Sequence, residues 1–399
     1  MKSNFHKKVL KNGMTILFEK RDVPVVSVAF AVRCGGVNED LAEKGISHFI
    51  EHMLYKGTQK RNSKQISEEI EKNGGELNGF TGEIITAFFC KMPSKHLSLA
   101  LDVLGDIMKN SLFDEKEIEK ERKVIFEEIK MRKDNPQVYV FDEIQRFLYE
   151  DPLGSNLIGT YETMSSLTRE KLVKRFKEIY NPNNLILCVV GDGNFEDIVS
   201  FAEKNFGSEK GKVPEFKIKI KNESKIEKRK GIDQANLLLA YHTPLSTDKK
   251  NHAASVLNTL LAGGMSSRLF IEIREKRNLA YSIHGGEIST KNYAYNHIYV
   301  GTSKENVEKV KKLILEEFEK ISKELGEKEL NQVKEQLIGN HQIGMEASQD
   351  QMVHLLYWEV DSDAKNLYEF EKNIKEVKLE DVKDLAKLKN YSFFALVPE

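Results

Sequence analysis

The chain has 399 residues, 40% hydrophobic and 31% charged, enough to bury two sizeable cores. Its 61 basic and 62 acidic side chains leave a formal net charge of −1, so bulk electrostatics favours neither nucleic acid nor an anionic membrane as a partner. No run approaches the ~18 apolar residues of a membrane span and the polar opening Met1-Lys2-Ser3-Asn4 holds no apolar signal core, so a cytoplasmic protein is expected.

Taken in chain order, the first informative pattern lies between Ile46 and Gly57. Ile46, Phe49, Ile50, Met53 and Leu54 recur at helical spacing and form one apolar stripe. At about 100° per residue, His48, Glu51 and His52 then share an arc of about 100° on the opposite face. The pentapeptide His48-Phe49-Ile50-Glu51-His52 is an H-x-x-E-H arrangement, the inverse of H-E-x-x-H. Two imidazoles one turn apart can hold a zinc ion, and the carboxylate between them can take a proton from a water beside it. The bland reading is the polar side of an amphipathic helix.

A catalytic zinc takes three protein ligands and leaves a position for water. The chain has no CxxC pair and no further histidine cluster, so a carboxylate is expected as third ligand. A second helix pattern runs from Asp114 to Lys133 and stops at Asn135-Pro136. Ile118, Val124, Ile125 and Ile129 mark its buried side, Glu121 and Glu128 project within that sector two turns apart, and Glu127 points away. Buried carboxylates need a compensating cation or donors. Glu128 is therefore read as the third ligand and Glu121 as a residue orienting the ligands from behind; pairing of both with Lys123 or Arg132 is the competing reading.

Further along, an apolar strand is expected from Leu185 to Val190. Gly207 to Gly231, lysine-rich and poor in apolar residues, reads as a linker. The layout of the first half then repeats. A strand at Leu237 to Tyr241 and a helix from about Lys250 to Leu261 precede strands near Ala280 to His284 and Tyr293 to Thr302, and helices follow over Glu305 to Leu325 and Glu327 to Gly344. The fold class expected is α+β, two homologous domains related by a pseudo-twofold duplication, each a mostly antiparallel sheet with helices packed on it. The boundaries are 1–206 for the zinc-binding domain, 207–230 for the linker and 231–399 for a degenerate copy without H-x-x-E-H. Cys34, Cys90 and Cys188 fall in strand-like runs and read as reduced core residues.

These motifs resemble the inverzincin family of pitrilysin, insulin-degrading enzyme and the mitochondrial processing peptidase. Glu128 stands 76 residues after His52 and seven after Glu121, spacings the family shares. Asn12-Gly13-Met14-Thr15 resembles its opening hairpin, and Pro152-Leu153-Gly154, Gly159-Thr160 and Tyr180-Asn181-Pro182-Asn183 resemble later landmarks. Gly74-Gly75-Glu76-Leu77-Asn78-Gly79-Phe80-Thr81 resembles the edge strand that pairs with substrate, which implies peptide binding along Asn78, Gly79 and Phe80. The family commonly has alanine where this chain has Gly79. Arg274 and Tyr281, seven apart, resemble the family's arginine and tyrosine; by that match Arg274 holds a substrate carbonyl and Tyr281 donates to the developing oxyanion.

The resemblance implies a zinc metalloendopeptidase with one zinc per chain on His48, His52 and Glu128, and with Glu51 as general base. Its substrates are unfolded or extended peptides, bound in a chamber built from two subunits. One chain carries both half-sites, so a homodimer is expected, with a heterodimer with a metal-free homologue also open. The alternative is a zinc-binding subunit or scaffold that is weakly active or inactive.

Overall fold

The computed structural model describes residues 4–399; Met1, Lys2 and Ser3, most of the polar opening noted above, lie outside them. Two sheets carry the structure. The first runs in the order β1 (Phe5–Val9), β2 (Thr15–Lys20), β6 (Leu185–Gly191), β3 (Val25–Val32), β5 (Thr86–Pro93), β4 (Glu76–Thr81). The second runs β7 (Ser224–Arg229), β11 (Ser392–Pro398), β8 (Ala235–His242), β10 (Ala294–Thr302), β9 (Ala280–Ser289).

The two orders are one pattern used twice. β2 pairs parallel with β6, and β6–β3, β3–β5 and β5–β4 are antiparallel. In the second sheet β7 pairs parallel with β11, and β11–β8, β8–β10 and β10–β9 are antiparallel. The α+β class and the duplication read from the sequence are therefore present in five corresponding strands, with β1 an extra edge strand on the first sheet.

β3 and β6 are near-continuous apolar runs because each sheet face is covered. Val26, Val28, Phe30 and Val32 face one core with Leu185, Leu187 and Val189, while Ala29 and Ala31 face a second core with Ile186, Cys188 and Val190, the alternation of a strand. The first core also takes Phe49, Ile50 and Met53 from the helix Ile46–Leu54. The second is closed by Met352, Leu355 and Leu356 of the helix Ser348–Asp361, far along the chain.

That helix makes the compact units discontinuous. The first comprises the chain up to Lys130 with Ser155–Lys217 and Gly344–Tyr368; the second comprises Met131–Gly154, Ile218–Ile343 and Glu369–Glu399. Each half of the sequence thus lends a helix to the other half's sheet, since Pro136–Leu148 packs on β8 and β11. The units differ from contiguous domains 1–206 and 231–399 because both faces of each sheet need covering, and a shift in composition marks where a chain lacks apolar residues, not which sheet a helix covers. The expected linker also contains β7, Ser-Lys-Ile-Glu-Lys-Arg, whose exposed lysines read as coil but suit a sheet edge. Among the described residues no helix is long and apolar enough to cross a membrane.

Candidate metal centre

The H-x-x-E-H segment lies on the helix Ile46–Leu54, and its stripe Ile46, Phe49, Ile50, Met53 and Leu54 is buried as expected. A buried carboxylate fixes where this helix begins. Glu39 accepts from the backbone N–H groups of Gly45 (2.9 Å) and Ser47 (2.8 Å), placing negative charge at the helix N-terminus. Gly45 has φ +92°, and a Cβ there would meet the Ile158 carbonyl oxygen at 2.6 Å, so glycine alone suits the entry turn.

The long helix Glu115–Asp134 brings the glutamates. His48 Nε2 lies 3.4 Å and His52 Nε2 3.7 Å from Glu128 Oε2. One ligand atom from each of His48, His52 and Glu128 falls within 4.8 Å of the others. Behind them His52 Nδ1 is 3.1 Å from Glu121 Oε2, and Lys56 Nζ holds Glu121 Oε1 at 2.7 Å. With Nδ1 donating to that carboxylate, Nε2 is the nitrogen that faces Glu128. Glu121 is the outer partner a ligating histidine ordinarily has.

Two imidazole nitrogens and a carboxylate oxygen are a three-ligand catalytic zinc set, so the residues present fit the ion. The electrostatics agree. Burial works against charge on His52, yet its hydrogen bonds with Glu121 and Glu128 outweigh burial and push it up to about 9, so the two carboxylates favour a positive charge at this position. Competition from Lys123 and Arg132 for the glutamates is not what the structure shows at Glu121, which pairs with Lys56; Arg132 forms an ion pair with Asp142 at 2.6 Å. One expectation for this helix fails. Ile118 and Ile125 are buried, but Val124 is 49% exposed, because the stripe follows 118, 121, 125 and 128 and leaves 124 beside it.

Glu51 points from the motif helix Ile46–Leu54 toward the sheet. Its Oε2 accepts from Thr81 Oγ1 at 2.5 Å, and burial pushes its carboxyl above the usual range despite that bond. Thr81 ends β4, which among the described residues pairs with β5 only and forms an edge of the first sheet. Asn78, Gly79 and Phe80 thus lie on an edge strand next to Glu51. Phe80 turns to the opposite face and stacks on Tyr357 at 5.8 Å and 8°. A Cβ on Gly79 would collide with the Tyr55 hydroxyl and stand 3.4 Å from Glu51 Oε1. That phenol occupies the room an alanine methyl would need.

Thr81, Tyr55 and Lys56 were not singled out from the sequence. Lys56 had a findable signal, four residues after His52 and just past the end of the motif helix. Cys34 stands apart from the metal cluster: burial pushes its thiol up to about 11, and Arg175 Nη2 lies 3.5 Å from its sulfur. All three cysteines are free and buried.

Arg274 and Tyr281 belong to the second unit. Arg274 is exposed on the short helical segment Phe270–Glu275, its guanidinium 4.8 Å over the Phe270 ring. Tyr281, 45% exposed, is the second residue of β9, which among the described residues is an edge strand of the second sheet. The helix Asn251–Ala262, which follows β8 as the motif helix follows β3, contains His252 as its sole histidine.

Residues 15–161 match the insulinase family, peptidase family M16, and residues 166–337 match the peptidase M16 inactive domain. Among curated relatives, an uncharacterized zinc protease of Rickettsia felis is 36% identical over 347 residues, 85% of this chain and 84% of that one. The uncharacterized zinc protease YmxG of Bacillus subtilis is 33% identical over 352 residues, 86% and 85% of the two chains. Among solved structures, a protease from Helicobacter pylori is similar with a TM-score of 0.91 at 24% identity, covering 99% of this chain and 100% of that chain. A peptidase M16 inactive domain from Pseudomonas fluorescens follows at 0.88 and 21%, covering 99% and 98%. The two structural likenesses speak to the fold.

Proposed function

The chain belongs to the insulinase family of peptidases, peptidase family M16, and from that footing we propose that it is a zinc-dependent endopeptidase of unfolded or extended peptides. The observation that carries the reading is the convergence of His48, His52 and Glu128, with Glu51 between that cluster and an open sheet edge. The inactive-domain match covers the half that lacks H-x-x-E-H and leaves the residues of the first half complete.

One zinc per chain, held by His48, His52 and Glu128, would supply Lewis acidity and a water of lowered pKa. Glu51 withdraws a proton from the attacking water and returns it to the leaving amine; a carboxyl raised by burial and steadied by Thr81 suits that shuttle. An extended peptide adds to the β4 edge at Asn78, Gly79 and Phe80 through main-chain hydrogen bonds, which makes recognition tolerant of sequence. Glu121 keeps His52 oriented. Arg274 holds a substrate carbonyl, and the Tyr281 hydroxyl donates to the developing oxyanion.

As in the resemblance drawn from the sequence, two subunits enclose the chamber, and a homodimer supplies both half-sites. Three buried free cysteines support a reducing compartment, the cytoplasm. Zinc analysis and chelation test the reading. Purified protein should carry one zinc per chain, lose cleavage of a quenched unstructured peptide on chelation and regain it with added zinc. Protein that binds no zinc sinks the proposal.

A further inference from the structure

Tyr281 sits at a fault in the second sheet. β9 and β10 pair Ser282 with Gly301 and Ala280 with Thr302, so Tyr281 is an extra residue without a partner across the ladder. Such a bulge bends its strand and re-aims the side chain it carries. Thr302 Oγ1 donates to the Leu279 carbonyl at 2.5 Å and ties down the strand just before the bulge.

The re-aimed ring lies across Gly301. A Cβ built on Gly301 would collide with Tyr281 Cζ and the hydroxyl oxygen, and would stand 2.8 Å from Cε2. Gly301 is buried inside β10, and its φ lies outside the left-handed region, so its backbone conformation does not call for glycine. Glycine inside a strand weakens it and commonly marks a close approach; here the approach is the Tyr281 phenol. The floor beneath is buried and hydrogen-bonded. Tyr299, two residues before Gly301 on the same strand face, is buried and donates to Asn236 Oδ1 at 2.6 Å, and Asn236 is the residue paired with Gly301 on β8.

We infer that the bulge at Tyr281 and the bare backbone of Gly301 form a positioning device for the Tyr281 hydroxyl, with Gly301 a positioning residue for the peptidase reaction. The inference rests on Tyr281 being the oxyanion donor proposed above. A hydroxyl that meets charge only in the transition state must be held in place beforehand, because a small displacement forfeits most of its effect.

The test compares Gly301→Ala, Tyr281→Phe and the double variant in the full-length zinc-loaded protein, with kcat and KM measured on a quenched unstructured peptide. Tyr281→Phe should lower kcat about a hundredfold with KM little changed. Gly301→Ala should lower kcat toward the same level although the hydroxyl is still present, and the double variant should fall no further than Tyr281→Phe alone. A readout free of activity accompanies it: Gly301→Ala should lower the melting midpoint, and adding Tyr281→Ala should restore most of that loss by removing the ring. Wild-type kcat in Gly301→Ala beside an impaired Tyr281→Phe overturns this inference alone. Independent, multiplying losses with no recovery of the midpoint overturn it too. Wild-type kcat in Tyr281→Phe removes the oxyanion reading, and this inference with it.

Discussion

Glu121 divides its two carboxylate oxygens between His52 and Lys56, and that division ties the metal centre to the helix carrying the motif. Its negative charge fixes which nitrogen of His52 keeps the proton, so its loss should weaken the metal without removing a ligand. A zinc titration followed over pH measures this. Glu121→Gln should bind zinc about 10- to 100-fold more weakly than wild type. The sign of the pH effect follows from His52, held up at about 9 without metal: below that value zinc must displace its proton. Wild-type affinity should therefore rise with pH, by about tenfold per unit, and level off near 9. Equal affinities for the two proteins would detach Glu121 from the centre.

Much of the centre was legible at this scale, because ligand spacing on a helix is a property of sequence. His48, Glu51 and His52 had to share a face, and Glu121 and Glu128 had to share another. Thr81 and Tyr55 were not legible. Their significance lies in contacts with Glu51 and Gly79 that depend on how β4 packs against the motif helix, and neither residue type announces such a contact. Val124 shows the opposite failure, an apolar side chain taken for core that the narrow stripe leaves in solvent.

At the level of elements, the helix Ser348–Asp361 does for the first sheet what Pro136–Leu148 does for the second. Both were invisible as exchanged parts, since a helix pattern shows which face is apolar but not which sheet receives it. Strand existence was easier: the expected strand Leu237 to Tyr241 became Ala235–His242, and Tyr293 to Thr302 became Ala294–Thr302. The exchange has a stability consequence. Leu355 is fully buried in the same core as Ala29, Ala31 and Cys188, small residues on the sheet face that the helix covers. Leu355→Ala should cost about 2–5 kcal/mol in denaturant unfolding, through lost transfer energy and a cavity the sheet cannot close. A cost below about 0.5 kcal/mol, the level of ordinary surface substitutions, would mean that the helix does not seal the sheet.

For the whole molecule, the proposed homodimer places the zinc residues of one chain opposite Arg274 and Tyr281 of another. Subunit mixing measures this. Glu51→Gln and Tyr281→Phe should each be nearly inactive alone. In a mixed dimer, one of the two sites pairs the intact Glu51 with the intact Tyr281, so random exchange should restore about a quarter of wild-type activity. No recovery after verified exchange of two inactive variants would mean that both residues serve one site within a single chain.

The central claim is that the H-x-x-E-H helix runs a hydrolysis in which His48, His52 and Glu128 hold the zinc and Glu51 moves the proton. Glu51→Gln tests it most directly, since it keeps the size and the hydrogen bonding of the side chain and removes its basicity. Zinc content and cleavage of a quenched unstructured peptide should be measured together. The expected result is one zinc per chain in both proteins, cleavage by the wild type, and at least a hundredfold less in the variant. Undiminished cleavage by Glu51→Gln would contradict the account.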